Sequence, residues 1–244
     1  MMIKPILFNT EMVRAILDGR KSCTRRLVKG FVPDDAIWGY TAFTPKGYIS
    51  CRGTFADGYG EKFFKLPYQT GDILYVRETW TEECGKYYYR ANYNSDYLDA
   101  CETLSGGYPA SCRNYAGCQG CTATSTRIYW HPSIHMPKEA ARIWLKVTDV
   151  RVERLQEITE GETFEEGLDF TPPCLHLTGE NYCDIDGPCT SKVKYCDMSY
   201  GELFGEVLWN NTIKKSDLDR YGWDANPWVW LIEFERCEKP EGEN

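Results

Sequence analysis

The chain has 244 residues, a formal net charge of -8, 14% aromatic residues and 12 cysteines. The length is enough for a sizeable hydrophobic core, and the acidic balance argues against a protein that coats extended double-stranded DNA, since such binding needs many lysine and arginine contacts to phosphate. With no apolar run of about eighteen residues, the sequence predicts neither a transmembrane helix nor a membrane partner.

The first 29 residues predict a strand, an amphipathic helix and a cluster of cations. Residues 1–8 are too short for a signal peptide and are typical of a strand. We therefore expect the protein to be located in the cytoplasm. Asn9 or Thr10 can cap the helix over residues 10–18, and Gly19 can end it. The local reversal of charge favours an anionic or strongly polar ligand, although a solvated basic loop is the alternative. The cations are Arg20, Lys21, Arg25, Arg26 and Lys29.

Within this segment, Lys21 and Thr24 are the two residues whose side chains could carry out a reaction. A threonine hydroxyl becomes a nucleophile when a neighbouring base takes its proton, and a lysine whose pKa is lowered by burial and by nearby cations can be that base. Residues three apart on a regular strand point to opposite faces, so the two side chains converge only if the chain turns or bulges directly after Gly19.

The rest of the chain predicts an α+β fold, a small mixed or antiparallel β-barrel with flanking helices. We expect a single domain over residues 1–237, two cysteine-rich insertions at about 94–124 and 169–197, and a loose tail over 238–244. Strands are predicted at 39–43, 47–51, 73–80, 87–93, 143–152 and 228–234, and helices at 155–168 and 199–212.

Glu165 and Glu166 fall in the last turn of the helix predicted over residues 155–168. Carboxylates there oppose the helix dipole, which is mildly unfavourable. A carboxylate held in such a field can have a raised pKa and carry a proton, whereas simple exposure to solvent is the alternative.

The cysteines of the two insertions predict structural zinc. Cys118 and Cys121 are separated by two residues, which lets both thiolates reach one tetrahedral ion, and Cys101 and Cys112 can complete the site. A second set lies in the other insertion, with His176 as a substitute ligand; free thiols are the alternative for both sets. The second set is Cys174, Cys183, Cys189 and Cys196.

Five segments together resemble the ASCH domain family of the PUA-like superfamily, particularly the long versions encoded in bacteriophage genomes. The resemblance implies a PUA-like β-barrel in a bacterial host cytoplasm and an association with RNA or a modified nucleoside. The segments are residues 16–26 (ILDGRKSCTRR), 71–80 (GDILYVRETW), 132–137 (PSIHMP), 147–150 (VTDV) and 226–230 (NPWVW).

Small bacterial members of this family are amidohydrolases that remove the acetyl group of 4-acetylcytidine, with no cofactor required for catalysis. Their working lysine and threonine match Lys21 and Thr24, and their glutamate matches Glu166, with Glu165 one residue away. This chain departs from them in its greater length, in its two insertions, and in Ser22 and Cys23 between the matched pair.

The resemblance leads to a mechanism in which Lys21 takes a proton from Thr24 or from water, the nucleophile attacks an amide carbonyl, and Glu166 protonates the leaving amine. A non-catalytic RNA or modified-base binding module is the rival hypothesis, and an RNA nuclease using His135 with Lys21 ranks below it. Tyr75 and Trp144 are further stacking candidates. The predicted binding residues are Arg20, Arg25, Arg26, Glu78, Trp80, His135 and Arg142.

Overall fold

A computed structural model describes residues 1–83, 86–93, 130–168 and 198–240. Their strands outnumber their helices, which confirms the α+β prediction. None of the helices in these residues has the length and apolar content that crossing a lipid bilayer requires. The strands are β1 (Ile3–Leu7), β2 (Cys23–Leu27), β3 (Ile37–Gly39), β4 (Tyr48–Phe55), β5 (Gly58–Lys65), β6 (Ile73–Arg77), β7 (Trp80–Glu83), β8 (Lys86–Tyr89), β9 (Trp144–Arg154) and β10 (Trp228–Cys237), and the α-helices are α1 (Thr10–Leu17), α2 (Glu160–Glu165), α3 (Tyr200–Leu203) and α4 (Leu218–Tyr221).

The chain divides into two compact units. The first unit comprises residues 1, 19–72 and 146–235, and the second comprises residues 2–18, 73–145 and 236–244. The interpretation of residues 1–237 as a single domain stays a prediction.

The first unit contains two sheets. In one, β10 lies between β9 and β2, and β2 runs antiparallel to β10 with Thr24 opposite Ile232 and Arg26 opposite Trp230. The other is the antiparallel sheet β3-β4-β5. An apolar cluster of Leu155, Ile158, Phe204, Trp209 and Val229 is buried in this unit, so the segments that carry α2 and α3 pack against the start of β10.

The second unit contains the parallel pair β1 and β6 and the antiparallel hairpin of β7 and β8. Helix α1 begins as predicted, because the Asn9 side chain accepts a hydrogen bond from the Met12 backbone N–H at 2.9 Å. Tyr75 and Trp144 are buried together, with ring centroids 6.0 Å apart. We therefore read these two rings as core residues of this unit.

The predicted helices are shorter in the structure than in the sequence analysis. Residues 155–157 form a 3₁₀ turn, and α2 begins only after Thr159. The extended backbone of Thr159 interrupts the helix, and its capping hydrogen bonds with Glu162 start α2. Residues 200–212 continue from α3 into a π-helical turn at Phe204–Trp209 and then a 3₁₀ turn. Strand β5 was not predicted at all.

Candidate functional site

Lys21 lies just before β2 with its side chain buried. The chain reaches it through Gly19, whose φ of 76° is in the left-handed region that favours glycine. The Lys21 ammonium donates to the Cys23 carbonyl at 2.7 Å, the Glu166 carbonyl at 2.8 Å and the Glu166 Oε2 at 2.6 Å. These three acceptors use all three donors of a protonated lysine.

Glu166 reaches Lys21 because α2 ends one residue earlier. The Ser22 N–H donates to the Glu165 carbonyl at 2.9 Å and holds the end of the helix beside Lys21, and Gly167, with a φ of 92°, then turns the chain away. The Glu166 side chain is 3% exposed, whereas Glu165 is exposed to solvent. The structure therefore places Glu166, rather than Glu165, against Lys21.

Burial lowers the pKa of Lys21, while the charge and hydrogen bond of Glu166 oppose that shift and the charge of Arg26 adds to it. Burial also raises the pKa of the neighbouring Cys23 thiol, and Glu166 raises it further, so this thiol stays protonated. The result is a lysine that gives up its proton more readily than a surface lysine and that has a carboxylate acceptor 2.6 Å away.

Arg25 has a different environment. Its guanidinium donates to Glu153 at 2.7 Å and Glu162 at 3.0 Å, with a longer contact of 3.5 Å to Glu166. Glu162 also accepts from Arg151, whose guanidinium bonds Glu233 as well. Arg25, predicted to bind substrate, is thus held inside an ion-pair network that joins β2, β9 and α2.

Thr24 and Arg26 point to the face of β2 opposite to Arg25, because successive side chains of a strand alternate. Thr24 is 1% exposed. The Arg26 pKa is lowered by burial and raised by Glu166, and Arg26 in turn lowers the pKa of Lys21. Arg26 therefore interacts electrostatically with the Lys21–Glu166 pair, and it shares one face of β2 with Thr24.

Beside Arg26 lies a cavity of about 510 Å³, which we call the basic cavity. It combines three cations, two aromatic rings and an apolar wall. Lys65, Phe64 and Trp230 were not among the predicted site residues; the alternation of Trp228 and Trp230 on β10 was the available signal for Trp230. The lining residues are Arg26, Leu27, Val28, Lys29, Phe64, Lys65, Leu66, Pro67 and Trp230.

Arg20 is half-buried, and its guanidinium makes a long contact of 3.5 Å to the Gly167 carbonyl. It therefore lies next to the segment that carries Glu166. Arg20, Lys21, Thr24, Arg25, Arg26 and Glu166 all belong to the first unit.

The other predicted binding residues belong to the second unit. Arg142 donates two hydrogen bonds of 2.9 Å to the carboxylate of Glu78, which is 1% exposed, and this pair is a structural bridge. Trp80 stacks against His131 with ring centroids 5.2 Å apart. His135 is exposed, and the nuclease alternative that combines it with Lys21 stays a prediction.

The zinc predictions lie outside the described residues, since all eight candidate cysteines and His176 fall in the ranges 94–129 and 169–197. In the described part of the chain, no group of three or more metal-ligating side chains is present. Cys23, Cys51 and Cys237 form no disulfide bond. Structural zinc in the insertions stays a prediction.

No protein-family model, curated protein or solved structure matches this chain.

Proposed function

We propose that this protein is an amidohydrolase of ASCH type, with a PUA-like barrel, that removes the acyl group from an N-acylated cytosine of a nucleoside or RNA in the cytoplasm of a bacterial host. The observation that supports this best is the buried Lys21–Glu166 pair at the start of β2, with Nζ and Oε2 2.6 Å apart. A buried lysine whose pKa is lowered and whose partner is a carboxylate has the two groups that acyl transfer from an amide needs.

The pair supplies both proton transfers of the reaction. Lys21 first passes a proton to Glu166, which leaves a neutral amine and a carboxylic acid. The amine then takes the proton of the Thr24 hydroxyl or of water, and the oxygen nucleophile attacks the acyl carbonyl. Collapse of the tetrahedral intermediate breaks the C–N bond, and Glu166 protonates the leaving amine. On the threonine route, water hydrolyses the acyl ester in a second cycle.

The direct test is incubation with 4-acetylcytidine and chromatographic detection of cytidine. We expect turnover by the native protein, loss of turnover in Lys21→Ala, and unchanged turnover in Lys62→Ala, an exposed lysine on β5. Thr24→Val separates the two nucleophiles, because it stops only the threonine route. Absence of turnover in the native protein, or full turnover by Lys21→Ala, contradicts the mechanism.

The pH profile gives a second readout of the same proposal. The active form holds a single proton on the pair, with Lys21 neutral and Glu166 protonated, so kcat/KM should fall as the pH rises through the pKa at which the pair loses that proton, below the ordinary lysine value of 10.5. A rate that keeps rising up to pH 10.5 contradicts a mechanism in which Glu166 donates the proton that Lys21 gave up.

A binding module without chemistry is the second candidate, and the basic cavity favours it. Aromatic rings and cations around one cavity suit a stacked base with its phosphate. In that case Lys21→Ala should leave binding of cytidine-containing ligands intact while no product forms from any acylated substrate. Binding retained by Lys21→Ala, together with turnover by the native protein, supports the enzyme hypothesis instead.

A further inference from the structure

The lining of the basic cavity runs against the composition of the protein. The whole chain has 36 acidic and 28 basic residues, yet the described residues around this cavity include Arg26, Lys29 and Lys65 and no aspartate or glutamate. Three cations that face a common space repel one another, and an anion bound between them relieves that repulsion. The charge pattern therefore indicates an anionic ligand.

The cations are placed by separate strands. Arg26 lies within β2, Lys29 follows the end of β2, and Lys65 is the last residue of β5. Lys29 and Lys65 are exposed, and among the described residues neither forms an ion pair with a carboxylate. Burial lowers the pKa of Arg26 and the charge of Glu166 only partly opposes this shift, so a further anion in the cavity stabilises this guanidinium. The two lysines form an open, positively charged mouth.

The aromatic wall is held in place by a third ring. Trp38 packs edge-on against Phe64, with centroids 5.1 Å apart, and against Trp230 at 6.2 Å. Trp230 is 5% exposed and stands opposite Arg26 in the pairing of β2 and β10. Trp230 is nearly buried, so the half-buried Phe64 offers most of the aromatic surface that a planar ring can reach. An inorganic anion alone would gain no binding energy from stacking on these aromatic rings.

The size of the cavity fits a small organic ligand. Its volume of about 510 Å³ lies within the range of roughly 300–1,000 Å³ that is typical of ligand pockets. Trp230 faces Arg26, which is two residues along β2 from Thr24, a separation of about 7 Å. Lys29 lies further along the chain, so a base would lie at the end nearer Thr24 and a phosphate at the end nearer Lys29.

We propose that the basic cavity binds a phosphorylated cytosine nucleotide, with its base against Trp230 and Phe64 and its phosphate between Lys29 and Lys65. The substrate class is then a nucleotide, either free or within single-stranded RNA, and not an uncharged nucleoside. This inference rests on the proposed function for the identity of the base, and it does not depend on the reaction.

Isothermal titration with four probes tests the assignment: cytidine, cytidine 5′-monophosphate, inorganic phosphate and single-stranded tricytidylate. A charge-assisted contact to phosphate predicts that the monophosphate binds about tenfold or more tightly than cytidine and than phosphate alone. This preference should shrink as salt is added, because exposed charges are screened. Tighter binding of tricytidylate than of the monophosphate assigns the phosphate to RNA, and equal or weaker binding assigns it to a free nucleotide.

Matched lysine variants locate the phosphate. Lys29→Ala and Lys65→Ala should each weaken monophosphate binding about tenfold and leave cytidine binding unchanged. Lys62→Ala is the control, because it lies on the same strand as Lys65, causes the same change in net charge, and has its ammonium 3.5 Å from Asp57. An equal loss in Lys62→Ala shows a general charge effect and overturns the proposal.

Trp230→Phe keeps an aromatic ring in the core and should weaken the binding of cytidine and of its monophosphate by the same factor. Unchanged binding of both ligands removes the base from this wall. Equal affinity of the native protein for cytidine and its monophosphate removes the phosphate, and equal affinity for inorganic phosphate and the monophosphate leaves an anion site without base recognition. Each of these results overturns the assignment.

Kinetics keep this inference separate from the proposed hydrolysis. If the monophosphate binds as expected but neither 4-acetylcytidine nor its 5′-monophosphate is hydrolysed, the enzyme hypothesis is wrong and the nucleotide site stands. If both compounds are hydrolysed with the same kcat/KM, the enzyme hypothesis stands and the phosphate preference is wrong. Lys21→Ala should retain monophosphate binding in either case.

Discussion

Replacing Lys21 by methionine removes the buried ammonium while keeping a side chain of similar length. The Glu166 carboxylate is then left 3% exposed without its partner at 2.6 Å, and the Cys23 carbonyl loses its donor at 2.7 Å. Arg25 stays 3.5 Å from the same carboxylate, and this longer contact compensates only in part.

Removal of one member of a buried ion pair costs about 3–5 kcal/mol, because the other charge stays buried without compensation. The residual contact from Arg25 places Lys21→Met near the lower end, at about 3 kcal/mol. The double variant Lys21→Met/Glu166→Leu removes both charges, and such apolar replacements of buried pairs are often neutral or stabilising. We therefore expect the double variant to be more stable than Lys21→Met alone.

Urea unfolding at pH 7, followed by fluorescence, measures these free energies. The double-mutant cycle of the two variants should give a coupling energy of about 2 kcal/mol, within the range found for residues in contact. Lys62→Met, which removes an exposed pair with an ammonium-to-carboxylate distance of 3.5 Å, should cost less than about 1 kcal/mol. A cost for Lys21→Met as small as that of Lys62→Met, or additive single variants, refutes a buried Lys21–Glu166 interaction.

Three further outcomes are expected. Gly205→Ala should lower the free energy of unfolding by about 1–3 kcal/mol, because a Cβ there would lie 2.4 Å from ring atoms of Trp223. Gly161→Ala is the control, because a Cβ at that position has nothing within 4 Å. Equal stability of the two variants contradicts the close packing of Gly205 against Trp223. Burial raises the pKa of Cys51 to about 11, so iodoacetamide at pH 8 should label Cys237 before Cys51 in the folded protein, and peptide mapping that shows equal labelling is the contrary result. Elemental analysis of protein purified without chelator should find at least one zinc per chain, and metal-free protein whose unfolding is unaffected by added zinc would remove the zinc hypothesis.

The local features of the site follow from short-range sequence signals. Asn9 caps α1 and Gly19 takes a left-handed conformation, as their residue types indicate. The spacing of Thr159 and Glu162 places the start of α2 correctly, although the helix is shorter than predicted. Caps and glycine turns depend on neighbours within a few residues, and sequence reasoning reaches that far.

The features that the sequence analysis did not predict depend on contacts between segments that are distant in the chain. The choice of Glu166 over Glu165 depends on the hydrogen bond from Ser22 to the Glu165 carbonyl, which joins segments about 140 residues apart in the chain. Strand β5 is mostly exposed and lacks an apolar alternation, so only its register against β4 defines it and brings Lys65 to the basic cavity. No local pattern contains this information.

The same limit explains why the cations of the basic segment looked equivalent. Alternation along β2 places the side chains of Arg25 and Arg26 on opposite faces. Only the folded chain shows that Glu153 and Glu162 lie on the Arg25 face and that the basic cavity lies on the Arg26 face. Arg25 is paired with carboxylates of its own chain, and Arg26 lines the basic cavity. The two arginines therefore have different tests, stability for Arg25 and ligand affinity for Arg26.

Two cations lie beside the Glu166 carboxylate, and their chemistry assigns them different roles. An arginine keeps its proton at any pH that a folded protein meets, so Arg25 can only fix the position of Glu166 and stabilise its negative charge. A lysine shifts its pKa readily when buried, and the pKa of Lys21 is lowered by burial. Since a buried ion pair is by itself weak evidence for stability, a lysine at this position, with an arginine already available to pair with the carboxylate, favours proton transfer over scaffolding. Lys21→Arg therefore separates the two roles: it keeps the positive charge, and it should retain most of the stability while losing the turnover of 4-acetylcytidine.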